Sequence, residues 1–212
     1  MGKQEISTPV IRRLPRYYRF LGELERENTE RISSRELALR MGLSASQIRQ
    51  DFNCFGGFGQ QGYGYHVAEL REIIGEILGV HERTGVILIG AGNLGKAVAA
   101  HVDFQKCGCE LIGIFDDNPL LQGTMTANLP IMPMETLTSF CQQRKPQVAV
   151  LCIPKDAAQQ LADKLIALNI YGFWNFSHFD LRITNPDVNV ENVHLGDSLM
   201  TLAYCLHRKE EE

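Results

Sequence analysis

Three glycines stand at spacings that suit the recognition of a dinucleotide. Gly90, Gly92 and Gly95 follow an apolar, mostly β-branched run at 86–89, at the point where a buried strand would pass into a helix. Gly90 would permit the tight turn, Gly92 would let a pyrophosphate approach the backbone, and Gly95 would let the helix pack closely on the strand. The phosphates would then meet free N–H groups at the positive end of that helix.

A carboxylate follows the next apolar run. Asp116 ends the run 111–115 and lies 21 positions after Gly95. It could accept hydrogen bonds from the adenosine ribose hydroxyls and would repel a 2′-phosphate, so the pattern favours NADH or NAD+ over the 2′-phosphorylated cofactors. Alternatively, Asp116 and Asp117 form only a polar turn with the Asn118-Pro119 pair that follows them.

The segment that carries these residues alternates predicted strands and helices, which is typical of a parallel sheet covered on both faces. The predicted strands are 86–89, 111–115, 147–153 and 170–174, and the predicted helices are 93–106, 133–143 and 156–168. A ligand of such a sheet lies beyond the carboxyl ends of the strands, where Ile153, Pro154 and Phe176 would line its crevice. These three could equally be turn and core residues.

The front of the chain is basic and the back is acidic. Residues 1–66 hold ten Lys and Arg against seven Asp and Glu, whereas residues 67–212 hold eleven against eighteen. This asymmetry suggests that the front meets a polyanion. Arg12 and Arg16 lie on a predicted helix that Pro9 opens and Pro15 interrupts, and they form either a solvated face or phosphate contacts.

Two short helices joined by a glycine follow. Ser33 and Glu36 have capping-box spacing, Gly42 ends that helix, and Ser44 with Gln47 repeats the box at the start of a third helix that reaches about residue 54. The pattern is that of a helix-turn-helix, whose second helix lies in the major groove. A generic helical hairpin would look the same. The candidate DNA contacts of this part are Ser44, Ser46, Gln47, Arg49 and Gln50.

The stretch 55–65 alternates aromatic residues and glycines. It predicts a β-hairpin that contacts DNA as a wing, with Gln60, Gln61 and Tyr63 as candidate contacts. The alternative is a flexible glycine-rich loop over tucked aromatic side chains. With the preceding helices, the stretch resembles a winged helix-turn-helix.

The ends of the predicted domains fall at polar joints. An amphipathic helix at 67–78 ends at Gly79, and the polar joint 81–85 separates a first domain, 1–80, from a second, 85–194. The tail 195–212 forms a final helix with an apolar stripe, which either docks on its own sheet or covers a second copy in a homodimer.

The cysteine pattern and the hydropathy suit a cytoplasmic protein. The six cysteines show no CxxC pair and no spacing typical of zinc, so we expect reduced thiols, with Cys54 the one that merits attention. No run of about 18 apolar residues appears, and the amino terminus lacks the apolar core of a signal peptide. We therefore expect no membrane partner.

An NAD-dependent enzyme needs a proton-moving group near the nicotinamide. Candidates exist, but no separate substrate domain follows the predicted dinucleotide fold, so the chain is expected to be a sensor and not an enzyme. An oxidoreductase with an accessory helical domain is the alternative. The candidate proton carriers are His101, His178, His194, Lys155 and Tyr171.

Taken together, the motifs resemble the Rex family of redox-sensing transcriptional repressors almost from end to end. The segments that carry the resemblance are 14–18, 33–38, 48–52, 55–59, 62–65, 90–95 and 115–116. The resemblance implies a homodimer with amino-terminal winged helices, Rossmann domains that bind NADH or NAD+, and a carboxy-terminal helix swapped between subunits. It also implies a repressor that NADH releases from operator DNA.

The same resemblance assigns residues to the cofactor. The loop Gly90-Ala91-Gly92-Asn93-Leu94-Gly95 would hold the phosphates, Asp116 the adenosine ribose, and Phe176 would lie by the nicotinamide. Gln50, Gln60 and Gln61 stand where the family commonly has basic residues, which removes phosphate contacts and flattens the salt dependence of DNA binding. A coenzyme A-binding module and a thiol sensor built on Cys54 are further alternatives.

Overall fold

A computed structural model of the chain describes residues 6–56, 63–181, 183 and 185–207. The chain divides into two compact units, Met1–His81 and Glu82–Glu212. The first unit is helical with one small β ladder, and the second is built on a large sheet.

The described part of the first unit contains five helices and two short strands. They are α1 (Thr8–Ile11), α2 (Leu14–Arg26), β1 (Arg31–Ile32), α3 (Ser34–Met41), α4 (Ala45–Asn53), β2 (Tyr65–His66) and α5 (Val67–Leu78). Pro15 lies in the first turn of α2, where its missing N–H is tolerated, so the predicted interruption separates α1 from α2. The strands β1 and β2 pair antiparallel.

The core of the first unit follows from helical periodicity. Leu14, Tyr17, Leu21 and Leu24 lie on one face of α2 and are buried against α5 and the helix pair α3–α4. Phe52 of α4 contacts the ring of Tyr17 edge to face, with 5.0 Å between ring centroids. The apolar stripe of α2 is thus the surface on which the other helices assemble.

Helix caps define the turn between α3 and α4. The capping box predicted at Ser33 and Glu36 is present, and Gly42 ends α3 in the left-handed conformation. Ser44 accepts the N–H of Gln47 at 3.1 Å. The second half of the box predicted there is wrong, because the Gln47 side chain donates to the carboxylate of Asp51, one turn further along α4, instead of returning to Ser44.

The second unit has seven strands in one sheet and four α-helices among its described residues. They are β3 (Thr84–Ile89), α6 (Asn93–His101), β4 (Cys109–Asp116), β5 (Met125–Thr126), β6 (Leu129–Pro133), α7 (Leu137–Arg144), β7 (Val148–Leu151), α8 (Lys155–Ala167), β8 (Gly172–Asn175), β9 (Asn189–Asn192) and α9 (Leu195–His207). Short 3-10 turns at Gln105–Cys107 and Met134–Thr136 complete it.

The strands lie in the order β5-β6-β4-β3-β7-β8-β9, and all neighbours pair parallel except the hairpin β5–β6. Counted in chain order, the six parallel strands follow the Rossmann order 3-2-1-4-5-6. The order reverses between β3 and β7, so the crevice for a ligand opens beyond their carboxyl ends. The predicted α/β class is therefore confirmed.

The sheet has an apolar core on each face. Along β3, Val86 and Leu88 point to one face while Ile87 and Ile89 point to the other, as the two-residue period of a strand requires. Burial on both faces explains why the strand appears in the sequence as a continuous apolar run.

One helix is shorter than the sequence predicted, and three strands were not predicted. The helix predicted at 93–106 ends at His101, because Val102 adopts an extended conformation and Asp103 starts a 3-10 turn by accepting the N–H of Lys106. The strands β5, β6 and β9 were not predicted. β9 is polar and lies at the sheet edge, where it pairs with β8 alone, so it leaves no apolar signal.

The last helix, α9, buries none of its residues. The alternative in which this tail docks on its own sheet is therefore wrong. Leu199 and Leu202 are 66% and 56% exposed. In the part of the chain that the structure describes, no helix is long and apolar enough to cross a membrane.

Candidate functional site

The three glycines after β3 have three different surroundings. Gly90 has a φ of +95°, and a Cβ there would come within 2.7 Å of the Cys152 carbonyl carbon. A Cβ on Gly95 would collide with the carbonyl oxygen of Gly90. A Cβ on Gly92 would meet nothing within 4 Å. Two of the glycines therefore serve close packing of the chain, and the third leaves open space.

The amino terminus of α6 begins at this open space. Gly92 is its N-cap residue, and no side chain caps the helix or places a carboxylate in its first turn. The first N–H groups of a helix lack partners within the helix and carry the positive end of its dipole. This end of α6 is therefore suited to bind an anion such as a pyrophosphate.

Asp116 ties the glycine loop to the neighbouring strand. Its carboxylate is 8% exposed, and its Oδ2 accepts the backbone N–H of Ala91 at 2.5 Å. Its Oδ1 accepts the N–H of Asn118 at 2.8 Å. The two interpretations of Asp116 are compatible, because the residue forms the polar turn while each of its oxygens keeps a lone pair that these bonds do not use.

A cavity of about 550 Å³ opens at the carboxyl ends of β3, β4 and β7. This volume lies in the usual range for ligand pockets. The structure brings five residues of the sequence-predicted set together along its walls. They are Gly90, Gly92, Asp116, Ile153 and Pro154.

Helix α8 supplies a wall of the cavity that sequence analysis missed. Gln160, Leu161 and Lys164 line it, together with Asp117 and Met134. Gln160 and Lys164 stand four residues apart and so lie on one face of α8. That spacing is visible in the sequence, but only the packing of α8 shows that its face meets a cavity.

Other predicted cofactor residues lie near this cavity without lining it. Ala91, Asn93, Leu94 and Gly95 form the turn and the first residues of α6. Phe176 is buried on the opposite face of the sheet, where it contacts the ring of Trp174 edge to face, with 4.8 Å between centroids.

In the first unit, α4 presents a polar face to solvent. Ser46, Arg49 and Gln50 are exposed, Gln47 is half-buried, and Ser44 caps the amino terminus of the helix. Arg49 donates to the hydroxyl of Ser34 at 3.1 Å. The polar side chains of this face can both donate to and accept from base edges and phosphates.

The other predicted DNA contacts differ in their surroundings. Arg12 and Arg16 are exposed, and the Arg16 guanidinium donates to the Met41 carbonyl at the end of α3. Tyr63 is 70% exposed. The predicted wing contacts Gln60 and Gln61 lie outside the described residues.

A buried carboxylate on the inner face of α4 is the main feature that sequence analysis overlooked. Asp51 is 1% exposed, and it accepts two hydrogen bonds from the Arg13 guanidinium, each 2.7 Å long. The Tyr17 hydroxyl donates to it at 2.7 Å and the Gln47 amide at 2.8 Å. Arg13 is thus an anchor of α4, although it stands in the same arginine-rich segment as Arg12 and Arg16.

The hydrogen bonds and the burial of this network change the pKa values of Asp51 and Tyr17. Burial acts to raise the pKa of Asp51, but the hydrogen bonds from Arg13, Tyr17 and Gln47 outweigh it and leave this pKa below its ordinary value. Burial and the bond to Asp51 raise the pKa of the Tyr17 hydroxyl. At neutral pH the carboxylate is therefore charged, and the phenol is a neutral donor.

Four of the six thiols are held in their protonated form by burial. Burial raises the pKa of Cys107, Cys109, Cys141 and Cys152, in the last case to about 11, so these four are protonated thiols at neutral pH. The Cys54 thiol donates to the Gln50 carbonyl at 3.3 Å. Among the described residues, no group of three or more His, Cys, Asp or Glu could hold a metal ion.

The two units define the class of protein. A helix-turn-helix unit is suited to bind the major groove of DNA, and a Rossmann-type unit with an open glycine loop is suited to bind a dinucleotide, so the chain has the parts of a DNA-binding regulator that responds to a nucleotide. Two family models agree with this division. Residues 5–53 match the model described as "Putative DNA-binding protein N-terminus", and residues 81–179 match the model described as "CoA binding domain".

Full-length relatives identify the family. The chain is 51% identical to the redox-sensing transcriptional repressor Rex of Thermoanaerobacter pseudethanolicus over 98% of this chain and 92% of that protein. It is 48% identical to Rex of Clostridium botulinum strain Eklund 17B over 97% of this chain and 98% of that protein. The chain therefore belongs to the Rex family of redox-sensing transcriptional repressors. The relatives are named as repressors, which confirms that the chain is not an enzyme.

Two solved structures are also similar to nearly the whole chain. The crystal structure of RSP in complex with β-NAD+ and operator DNA matches with a TM-score of 0.90 and 51% identity, covering 97% of this chain and 94% of that one. The structure of RSP in complex with β-NADH matches with a TM-score of 0.88 and 48% identity, covering 97% and 96%.

Proposed function

We propose that the chain represses transcription by binding operator DNA through its first unit, and that NADH bound to its second unit releases it. The observation that carries this proposal is the full-length likeness to RSP, whose solved structures hold β-NAD+ with operator DNA in one case and β-NADH in the other. The open space at Gly92 and the uncapped amino terminus of α6 supply a matching place for the pyrophosphate.

In this proposal the adenosine half of the cofactor occupies the cavity beside Asp116, and the pyrophosphate crosses Gly92 at the start of α6. Asp116 accepts a ribose hydroxyl with a lone pair that its bonds to Ala91 and Asn118 leave available. The nicotinamide continues across the strand ends toward the side of the sheet that holds Phe176.

In the same proposal the exposed face of α4 enters the major groove. Ser46, Arg49 and Gln50 face the DNA, Ser44 and Gln47 lie at its edge, and Arg12, Arg16 and Tyr63 contact the backbone. In the described part of the first unit, the inner face of α4 is held by buried residues and by the bond from Arg13 to Asp51, while its polar outer face is exposed. Gln60 and Gln61 are assigned to the backbone by the sequence alone.

We also infer that the working form is a homodimer in which α9 swaps onto a second copy of the chain. Its large apolar side chains are exposed from Leu195 to Leu206, which supports a partner surface. A dimer would present two copies of α4 to two half-sites.

The decisive experiment is a reciprocal titration. A duplex that the chain enriches from a randomised DNA library is labelled, and its affinity is measured at constant salt with NADH, with NAD+ and without cofactor. We expect NADH to weaken DNA binding at least about tenfold, which corresponds to a coupling of roughly 1.4 kcal/mol. Because coupling is reciprocal, the duplex must weaken NADH binding by the same factor. Equal DNA affinities in all three conditions would refute the proposed switch.

Asp116 provides a sharper test of the cofactor assignment. Asp116→Asn removes the charge that rejects a 2′-phosphate, so we expect the preference for NADH over NADPH to fall roughly tenfold or more by calorimetry. A substitution that only loosened the glycine loop would weaken the binding of NADH and of NADPH by the same factor. The ratio of the two affinities therefore separates a lost ribose contact from a loosened loop. Asp117→Asn is the matched control, and if Asp117→Asn changes the ratio more, the ribose contact belongs to Asp117.

The family model for coenzyme A binding supports a second candidate ligand for the same cavity. Coenzyme A also carries an adenosine and a pyrophosphate, so the amino terminus of α6 would serve it equally. Calorimetry with NADH and coenzyme A side by side decides between them. Binding of coenzyme A alone would exclude NADH sensing.

A further inference from the structure

The buried network around Asp51 has a consequence for how α4 presents its polar face. Asp51 accepts four hydrogen bonds in all, and each of its donors except Gln47 comes from the segment of α2 and the turn before it. Arg13 and Tyr17 lie 38 and 34 positions away in the chain. The carboxylate therefore fastens the last turn of α4 to α2.

The fourth bond fixes the orientation of an amide at the edge of the DNA-facing surface. A charged carboxylate can only accept hydrogen bonds, so the side of the Gln47 amide that faces Asp51 must be the nitrogen. The Nε2–Oδ1 distance is 2.8 Å. The amide oxygen then points the other way, and the described residues give that oxygen no partner within the protein. Gln47 is half-buried, which places this oxygen at the boundary with solvent.

We propose that Asp51 is a positioning residue for DNA recognition, which sets the placement of α4 and turns the Gln47 amide so that its oxygen meets an exocyclic amino group in the major groove. The inference rests on the proposed function. In the major groove, adenine and cytosine offer amino groups, whereas guanine and thymine offer carbonyl oxygens at the corresponding places. Gln47 therefore selects adenine or cytosine at one base of each half-site.

The network also predicts what happens when the carboxylate becomes an amide. In Asp51→Asn an amide oxygen at the place of Oδ2 would keep the bonds from Arg13 Nε and the Tyr17 hydroxyl. Its NH2 group, at the place of Oδ1, would then face Gln47 and would lose the bond from Arg13 Nη2. The Gln47 amide would then rotate to offer its oxygen inward and its nitrogen outward. The outward group would change from acceptor to donor, and the preferred base would change to guanine or thymine.

The test is the selection of duplexes from a randomised library by the full-length protein, followed by sequencing. Four proteins are compared, namely the unaltered chain, Asp51→Asn, Gln47→Met and Glu27→Gln. Gln47→Met keeps the length of the side chain and removes the amide. Glu27→Gln makes the same change of charge as Asp51→Asn at an exposed ion pair with Arg40, away from α4.

We expect the unaltered chain to favour adenine or cytosine at one position by roughly tenfold. Asp51→Asn should reverse that preference, Gln47→Met should abolish it at the same position, and Glu27→Gln should leave it unchanged. Glu27→Gln should also keep the affinity for a scrambled duplex of the same length within about twofold of the unaltered value, because phosphate contacts carry non-specific binding. A merely structural role of Asp51 would lower affinity without moving the preferred base.

The outcomes separate this inference from the proposed function. If the unaltered chain enriches no sequence, both fail together. If it enriches a sequence, but Asp51→Asn and Gln47→Met leave the base preference unchanged or alter different positions, only the role assigned to Asp51 is wrong. Should Asp51→Asn unfold the first unit, the Gln47→Met result alone still decides whether this amide reads a base.

Discussion

Gly92 and Gly95 lie three residues apart in the same loop, yet they carry opposite physical constraints. At Gly95 an added methyl group would collide with a backbone carbonyl that cannot move without disturbing β3. At Gly92 the space is empty, and φ is −66°, which any residue can adopt. One position is closed by the protein itself, and the other is open for a ligand.

The two substitutions to alanine should therefore have separable effects. We expect Gly95→Ala to destabilise the second unit by about 3 kcal/mol, the upper end for overpacking. Gly92→Ala should leave the free energy of unfolding within about 0.5 kcal/mol of the unaltered value and weaken NADH binding roughly tenfold. Urea unfolding followed by the fluorescence of Trp174, together with NADH calorimetry, measures both quantities.

Each variant is the control of the other. If Gly92→Ala binds NADH as tightly as the unaltered chain, the pyrophosphate does not cross this glycine. If Gly92→Ala instead loses as much stability as Gly95→Ala, the space at Gly92 is needed for folding, and the glycine spacing says nothing about a cofactor.

Helix α4 depends on a charge for its attachment to α2. A buried carboxylate is tolerated only where donors replace its lost hydration, and Asp51 has four such hydrogen bonds. The outer face of α4 is thereby left free for recognition, because the helix is held from its inner side by Asp51, Ile48 and Phe52. Exposed ion pairs such as Arg40 with Glu27 contribute far less.

Because the pKa of Asp51 lies below its ordinary value of 3.8, its contribution to stability has a definite pH dependence. The contribution is fully present above about pH 4 and is lost as the pH falls through the lowered pKa of the folded state. We expect Asp51→Asn to lower the stability of the first unit by about 2 kcal/mol at pH 7. The difference from the unaltered chain should shrink as the pH drops below about 4.

Hydrogen exchange of the α2 and α4 amides in the full-length protein measures this difference at each pH. Glu27→Gln, which removes an exposed carboxylate of the same unit, should show almost no effect at any pH. A deficit of Asp51→Asn that stays constant from neutral pH down to about pH 3 would show that the loss comes from packing and not from the charge.

A repressor that senses a cofactor must connect events in one unit to DNA binding by the other. NADH can shift that equilibrium only if it binds the DNA-competent and the released arrangements with different affinities. The proposed homodimer supplies such arrangements, since two copies of α4 can engage two half-sites only at a fitting separation. The exposed apolar helix α9 is then the part of the molecule that decides whether the dimer forms.

The dimer can be tested by charging the apolar stripe of α9. In the double variant Leu199→Glu with Leu202→Glu, we expect sedimentation velocity to show a monomer where the unaltered chain is a dimer. Affinity for the enriched duplex should fall at least about hundredfold, because one subunit can no longer assist the other. NADH affinity should stay within about twofold, since a single chain builds the cavity.

Thr201→Glu places a charge on the same helix at a polar residue, and it should remain dimeric. A monomeric unaltered chain at micromolar concentration, or a double variant that stays dimeric, would refute the part assigned to α9.

The sequence predicted most of the elements that hold the site, because their signals are local. Apolar runs bounded by glycines gave β3 and β4, the capping box at Ser33 gave the start of α3, and the spacing from Gly90 to Gly95 gave the loop. In each case the interaction that fixes the structure joins residues a few positions apart, so the pattern is complete within a short window.

The tertiary structure alone decided which distant residues meet. Arg13 stands beside Arg12 in the sequence, and only the packing of α2 on α4 brings its guanidinium to Asp51, 38 positions away. The wall that α8 adds to the cavity was likewise invisible, because Gln160 and Lys164 meet Gly90 and Asp116 there from distant parts of the chain. Long-range contacts depend on the global arrangement of elements and leave no periodic trace in the sequence.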